Sequence, residues 1–242
     1  MLRCFFILAL VFLASRADSA PLAPKPGTYL RAHESGALTI QRTEEGKLTF
    51  ELLSIGGNGH ICSFSGFIQG STGTVDDEPE SSCQISLVQD GTTLAVYPLN
   101  KESEDACRER CGMRASFEGN YRIPSALCSK AGQQARRGEF SGHYNAHRYA
   151  QAEKLLDDLL ARCSDFMHEV EIDRIRNDIA LSQFHQGRHS QCLATLSATR
   201  AGQVKNQDEL GLPPLDFDIY IATAKSTWFN QALCNKALKA KR

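Results

Sequence analysis

A group of polar side chains interrupts an apolar helix pattern in the second half of the chain. Arg174, Asn177 and Asp178 lie within the run R-I-R-N-D-I-A-L, beside a strongly apolar stripe. Groups placed in this way either form a buried hydrogen-bonded network between helices or line a groove that binds a ligand. We favour the structural role and keep the three residues as candidate binding residues.

Acidic side chains form a second candidate group. The polar, turn-rich segment 70–80 contains four carboxylates, at Asp76, Asp77, Glu78 and Glu80. Carboxylates gathered in a loop can bind Ca²⁺ or a basic protein surface. The more ordinary interpretation is a solvated loop, because connecting segments usually run over the protein surface.

Two pairs of histidines have the i, i+4 spacing that lets two side chains on one helix chelate a metal ion. The pairs are His143 with His147 and His185 with His189. A glycine precedes the first pair and another lies inside the second, and both glycines predict helix breaks that would separate the imidazoles. We therefore expect no metal site and no cofactor.

The sequence contains no recognisable catalytic motif. There is no G-x-S-x-G elbow, S-x-x-K motif, P-loop or glycine-rich dinucleotide fingerprint. The glycine-rich run 56–59 precedes a predicted strand rather than a helix, so we interpret it as a hairpin turn. Enzymatic activity stays open, because residues that meet only in the fold are invisible in a sequence, but we favour a protein that is not an enzyme.

The nine cysteines point to a disulfide framework. Cys4 lies in a predicted export signal, and the even number that remains is typical of exported proteins. Metal binding is the competing interpretation, but there is no C-x-x-C pair and the one C-x-x-x-C spacing is not that of a zinc ribbon. We expect disulfides, with Cys62 and Cys83 placed to join one strand-rich region and Cys192 and Cys234 placed to join two helices. The full set is Cys62, Cys83, Cys107, Cys111, Cys128, Cys163, Cys192 and Cys234.

The beginning of the chain has the features of a cleavable signal peptide. Arg3 supplies a positive charge, and an apolar run over residues 5–14 is followed by small and polar residues. This run is too short to span a bilayer, which needs about 20 residues. We predict a signal peptide over 1–19 and a Pro-rich leader over 20–27, with an uncleaved membrane anchor as the alternative.

The overall composition narrows the choice of partners. A formal net charge of −1 without a polybasic run argues against nucleic acid. No later segment is apolar over 18 residues, so we expect no membrane span after cleavage. The predicted location is periplasmic or secreted, and a protein partner in the envelope is the expected ligand.

Short alternating segments separated by turn residues fill the first half of the mature chain. Residues 37–53 have the pattern of a hairpin, and further strands are predicted over 61–68, 84–88 and 93–97. A last strand near 115–122 could close the sheet beside the first. The spacing predicts an antiparallel β meander or small barrel over 28–125.

From about Ser129 the apolar period changes from 2 to 3.6, which predicts an all-α domain over 126–242. The segments 147–156 and 187–196 match at an offset of 40 residues. The second of them resembles the start of the second helix of a tetratricopeptide-type repeat. Chance similarity between two amphipathic helices is the alternative.

Two stretches carry a family resemblance. The pattern C-x-x-x-C-G-x-x-A-x-F-x-G-x-Y over 107–121 resembles the closing end of a β-meander module in poorly characterised bacterial periplasmic proteins. The stretches 175–196 and 224–234 resemble the helical tail attached to that module. Related β modules accompany domains of the lysozyme-inhibitor type, so the resemblance implies a structural frame and an inhibitory or binding role, without implying individual functional residues.

These patterns predict an α+β protein of two domains, with an N-terminal antiparallel β barrel and C-terminal tetratricopeptide-like helical hairpins. Our leading functional hypothesis is an exported, non-enzymatic protein-binding protein that inhibits, or gives immunity against, a cell-wall or envelope hydrolase. The alternatives are a periplasmic hydrolase with a site between the domains and a structural envelope component.

Overall fold

The computed structural model describes residues 23–75 and 83–240. The first part is a closed antiparallel barrel in which eight strands follow one another in chain order and the last pairs with the first. The strands are β1 (Gly27–Arg31), β2 (Gly36–Arg42), β3 (Leu48–Ile55), β4 (Ile61–Gln69), β5 (Thr72–Val75), β6 (Gln84–Asp90), β7 (Thr93–Pro98) and β8 (Gly119–Arg122). The predicted closure of the sheet by a final strand is confirmed.

Alternating side chains build the barrel core. In β3, Leu48, Phe50 and Leu52 point inward and are buried, as the period of 2 predicts. Phe64 meets Phe50 edge-on, with ring centroids 6.3 Å apart. The barrel interior is therefore filled by side chains, as expected for eight strands.

One end of the barrel is closed by the long connection between β7 and β8. A short helix, α1 (Lys101–Arg108), lies over this end, and disulfides join Cys107 to Cys83 and Cys111 to Cys62. At the opposite end the Pro-rich leader packs against the barrel, because Pro24 is buried and the Tyr29 hydroxyl donates a hydrogen bond to the Lys25 carbonyl at 2.8 Å.

Five helices follow the barrel: α2 (Lys130–Asn145), α3 (Tyr149–Cys163), α4 (Glu169–His185), α5 (His189–Ser197) and α6 (Pro214–Ala240). Each packs against the next, and α6 also packs against α4. The α+β class is confirmed. The acidic residues Asp76, Asp77, Glu78 and Glu80, like the predicted signal peptide, lie outside the described residues.

The 40-residue offset is visible in the backbone of two turns. The α2–α3 turn and the α4–α5 turn end at Arg148 and Arg188, whose φ/ψ angles are −89°/59° and −90°/59°. The preceding residues, His147 and Gly187, both have positive φ, at 58° and 74°. Two helical hairpins of the chain therefore share one turn conformation.

All eight described cysteines are paired, as predicted, but one predicted pairing is wrong. Cys192–Cys234 is confirmed and joins α5 to α6. Cys62 and Cys83 bond instead to the β7–β8 connection. Cys62 belongs to β4 and Cys83 to the chain entering β6, and β5 lies between them. The two strand spacings add up to about 10 Å, which exceeds the reach of a disulfide. The fourth bond, Cys128–Cys163, ties the start of the helical region to the end of α3.

The disulfides bear on where the protein folds. Four disulfides indicate an oxidising compartment, because such bonds are rarely maintained in the cytosol. Within the described part of the chain, no helix combines the length and apolar character needed to cross a bilayer.

Candidate binding sites

The barrel and the helices enclose a cleft of about 860 Å³ between them. The two parts touch on either side of it. On one side the Arg122 guanidinium pairs with the Asp165 carboxylate at 2.7 Å. On the other, the backbone N–H of Asn58 donates to Asp216 at 3.1 Å. The cleft walls come from the β1–β2 and β3–β4 loops of the barrel and from the N-terminal turns of α4 and α6.

The barrel wall of the cleft contains left-handed backbone at residues other than glycine. His33 and Glu34 have φ of 59° and 52°, and Asn58 has φ of 57°. Consecutive left-handed residues are costly for side chains such as histidine and glutamate, and such strain persists only where neighbours fix it. Arg31 does so by donating to the Ser35 hydroxyl at 2.9 Å and to the Ser35 carbonyl at 3.2 Å. The loop is thus held in one conformation.

Large apolar side chains in the cleft are open to solvent. Ile55, at the end of β3, is 50% exposed, and Leu215 and Ile219, in the first turns of α6, are 46% and 47% exposed. Val170 and Ile172 of α4 line the cleft more deeply. Apolar surface left open inside a concave site marks a place for another apolar group.

Hydrogen bonds and an ion pair connect the elements of the helical wall. Arg200 donates to the Glu169 carboxylate, at 3.2 Å from Nε to Oε1 and 3.0 Å from Nη2 to Oε2. The buried Asp173 carboxylate accepts from the Tyr220 hydroxyl at 2.6 Å and from the Arg200 backbone N–H at 2.9 Å. Burial, and next the hydrogen bond to Asp173, raise the pKa of Tyr220, so its phenol stays protonated. These contacts fix α4, α6 and the loop after α5 relative to one another.

A second groove, of about 540 Å³, lies between α4 and α6 with one side chain from α2. The α4 side presents positions spaced i, i+3, i+4 and i+7, which share one helix face. This groove is lined by Arg137, Arg174, Asn177, Asp178, Leu181, Ala222, Thr223, Lys225, Ser226, Phe229 and Asn230. The three sequence-predicted candidates Arg174, Asn177 and Asp178 are therefore brought together in one place.

Asn177 lines the groove and also takes part in a hydrogen-bonded network between helices. Its amide nitrogen donates to Thr227 Oγ1 at 2.9 Å, and its amide oxygen accepts from Asn230 at 2.8 Å. These bonds form a buried network between α4 and α6. Arg174 is half-exposed and pairs with Glu171.

Asp178 has a different environment. Arg137 Nη2 lies 3.5 Å from its Oδ2, a weak contact for a carboxylate that is only partly open to water. Burial raises the pKa of Asp178, and the positive charge of Arg137 opposes that effect only in part. Asp178 is thus an acceptor with spare hydrogen-bonding capacity.

The two members of each histidine pair lie on different segments of the backbone. His143 and His185 lie in the last turns of α2 and α4, whereas His147 lies in a turn and His189 begins α5. The predicted break at Gly187 is present, between α4 and α5. The break predicted at Gly142 is wrong, because α2 continues through Gly142 to Asn145 and ends just before His147. Within the described residues no group of three potential metal ligands comes together.

Several residues of the two sites carry no signal in the sequence. The cleft residues His33, Gly57 and Ile219 belong to segments far apart in the chain, so their meeting depends on how the domains dock. Phe229 carries a weak signal, because two adjacent aromatic residues on one helix face different directions. Trp228 faces the protein, where its indole N–H donates to the Ala201 carbonyl at 2.9 Å, and Phe229 therefore faces elsewhere.

The chain matches no protein-family model, no curated protein and no solved structure. What can be said of its chemistry therefore rests on the two sites. None of the eight described cysteines offers a thiol nucleophile, since all are in disulfides.

Proposed function

We propose that the protein is an exported binding protein that captures a protruding segment of a partner protein in the cleft between its two domains. The observation that carries this proposal is the exposed apolar set Ile55, Leu215 and Ile219 inside a concave site of about 860 Å³. A site of that size lies at the upper end of the range for small-molecule pockets, about 300–1,000 Å³. It accepts several side chains of a protein loop.

Rigid walls favour tight binding. Association is opposed by the ordering of loops and side chains, and a site that is already ordered avoids most of that loss. Arg31 fixes the strained His33–Glu34 turn, and two disulfides hold the barrel end that bears it. The arrangement suits a binder that holds its partner for long times, as an inhibitor does.

The partner we propose is a cell-wall or envelope hydrolase, which the protein restrains in the periplasm or outside the cell. The motifs at 107–121 and 175–196 support this choice through their resemblance to envelope modules found with lysozyme-inhibitor-type domains. The disulfides support an oxidising location. We further propose that the two hairpins are diverged tetratricopeptide-like repeats, which the shared turn geometry at Arg148 and Arg188 supports.

The test combines recovery of a partner with inhibition. The chain lacking residues 1–19 is immobilised and exposed to an envelope extract, and the soluble chain is assayed against a panel of cell-wall hydrolases. We expect a hydrolase to be retained and inhibited in a near-stoichiometric titration. Failure to retain any partner, together with no inhibition across the panel, would remove the proposal.

A hydrolase with its own site in the cleft is the second candidate. Its support is that two imidazoles, His33 and His168, and two carboxylates, Glu34 and Glu169, line the same cleft. Such groups can act as general acid and base. The test is turnover of envelope substrates by the wild type and by His168→Asn, which keeps a side chain able to cap α4 as His168 does. Turnover that the wild type shows and His168→Asn lacks would favour the enzyme.

A further inference from the structure

The groove between α4 and α6 contains buried polar atoms whose hydrogen-bonding capacity is unused. Thr223 is only 4% exposed, and its hydroxyl has no hydrogen-bond partner. Arg137 Nη1 also lacks one, since it stands 3.7 Å from Glu171 Oε2, beyond hydrogen-bond range. A buried polar group without a partner costs about 1–3 kcal/mol. Both groups line the groove, so a ligand there would satisfy them.

The polar groups of the groove form a mixed set. The Arg137 guanidinium only donates, the Asp178 carboxylate only accepts, and the Thr223 hydroxyl does both. A ligand that meets all three needs donors and acceptors close together. Neighbouring hydroxyls on one ring provide this arrangement.

The groove carries charges of both signs, with the positive ones in excess. Arg137, Arg174 and Lys225 would repel a cation, whereas an anion would be attracted by them but would meet Asp178, and Glu171 next to Arg137. A neutral ligand avoids both penalties.

An aromatic ring at the groove supplies an apolar surface. Phe229 is 68% exposed and points away from the face of α6 on which Trp228 is partly buried. Its ring lines the groove beside Leu181 and Ala222. A flat, partly apolar ligand can cover these side chains while its edge meets the polar groups.

We infer that this groove binds a neutral oligosaccharide, with one sugar ring lying on Phe229 and its hydroxyls bonded to Asp178, Arg137 and Thr223. A volume of about 540 Å³ holds a short oligosaccharide. In an exported protein the source of such a ligand is the N-acetylated glycan of the cell wall. The inference is independent of the cleft: either site can be correct without the other.

The test uses the chain lacking residues 1–19 and chitotetraose, a neutral β-1,4-linked N-acetylglucosamine oligomer, in calorimetry and NMR titrations. We expect binding in or below the millimolar range, about −4 kcal/mol or stronger. Phe229→Ala should weaken it about tenfold. Thr223→Val should weaken it about fivefold through the lost hydroxyl contact.

Thr223→Val also separates a ligand contact from a structural one. Since the hydroxyl has no partner within the protein, the variant should unfold at the same or higher urea concentration than the wild type. Met113→Ala, at an 81% exposed apolar residue of the barrel, is the matched control and should bind as the wild type does.

Three results would overturn the inference. One is no binding of chitotetraose at about 10 mM, a concentration that detects very weak sites. Another is binding that Phe229→Ala and Thr223→Val leave unchanged. The third is an acetylated Asp/Glu peptide that binds at the groove while chitotetraose does not, which would assign the groove to a peptide.

Discussion

Two aspartates on α4 show how the same side chain can serve structure or binding. Asp173 is fully buried and accepts hydrogen bonds from Tyr220, Arg176 and the Arg200 backbone at 2.6–2.9 Å. Asp178 has a single weak contact with Arg137 and faces a groove. The first is satisfied within the protein and the second is not. Asp173 therefore contributes to stability, whereas Asp178 keeps acceptor capacity for the ligand that we propose for the groove.

The same substitution should act in opposite directions at these two positions. Asp173→Asn places an amide NH₂ among hydrogen-bond donors, and it should lower the free energy of unfolding by about 3 kcal/mol. Asp178→Asn removes a charge that burial disfavours, so it should raise the free energy of unfolding at neutral pH. Urea denaturation of the two variants measures both effects. A lower midpoint for Asp178→Asn would show that Asp178 is structural.

The effect of Asp178→Asn should depend on pH. Because the pKa of Asp178 is raised in the folded state, the folded protein binds its proton more tightly than the unfolded chain does. The charge therefore destabilises the fold above the raised pKa, and the destabilisation is lost as the pH falls through that pKa towards the unfolded value near 3.9. The stability difference between Asp178→Asn and wild type should be largest at neutral pH and vanish in acid. A difference that grew in acid would contradict this assignment.

At the scale of elements, sequence reasoning located those with strong periodicity and missed those without it. The apolar periodicity predicts helices over 147–162, 167–185 and 216–239, which correspond to α3, α4 and α6, and most strands lie within a few residues of the predicted positions. Strand β5 was missed because one of its two inward positions is Gly73, where a Cβ would lie only 2.9 Å from Ile85 Cγ1, which leaves Val75 as its one inward apolar side chain and no alternation to detect. Helix α2 was missed because Phe140 is its only buried residue, which leaves a weak apolar stripe.

Connections between elements were harder to predict than the elements. The Cys62 and Cys83 pairing failed because nearness in sequence does not give strand order around a closed sheet. The groove residues Arg174, Asn177 and Asp178 could be identified because one helix carries them. The residues of the interdomain cleft could not, since its walls combine loops of the barrel with helix turns from the other domain.

The shared hairpin turn leads to a prediction about His147. Gly187 adopts positive φ without strain, whereas His147 does so with a side chain. His147→Gly should raise the free energy of unfolding by up to about 1 kcal/mol. The His147 imidazole contacts the Tyr149 hydroxyl at 2.7 Å, so Tyr149→Phe measures separately what the loss of that contact costs.

The result is read from urea midpoints. If the gain from His147→Gly is absent even in the Tyr149→Phe background, the left-handed turn is not a source of strain. The reverse change, Gly187→Ala, should destabilise the protein by about 1 kcal/mol.

At the scale of the whole molecule, the four described disulfides staple each domain but none joins the two. Two bonds lie in the barrel and two in the helical region. The relative position of the domains, and with it the shape of the cleft, depends on non-covalent contacts at Arg122–Asp165 and Asn58–Asp216. Arg122 also lies over the Phe166 ring, at 5.0 Å from its centroid.

Loosening one of these contacts should change the cleft more than the stability. Asp216→Ala removes the acceptor for the Asn58 N–H. One such hydrogen bond contributes about 1 kcal/mol to the free energy of unfolding, so the urea midpoint should shift little. Amide exchange at 57–59 should become about five- to tenfold faster, since 1.4 kcal/mol corresponds to a factor of ten. Lys47→Ala, which breaks the exposed pair with Glu45 far from the cleft, is the control and should leave that exchange unchanged. Equal exchange rates in both variants would mean that the Asn58–Asp216 contact does not hold the domains.

The most direct test of the account is the affinity of the recovered partner protein for two matched isoleucine variants. Ile219 lies in the cleft and is 47% exposed, whereas Ile123 follows β8 outside the cleft and is 45% exposed. Ile219→Asp should weaken binding by about 2 kcal/mol, or about thirtyfold, because it places a charge among apolar contacts. Ile123→Asp should change affinity by no more than about twofold. Equal affinities for the two variants, or a larger loss with Ile123→Asp, would contradict the assignment of the cleft as the partner-binding site.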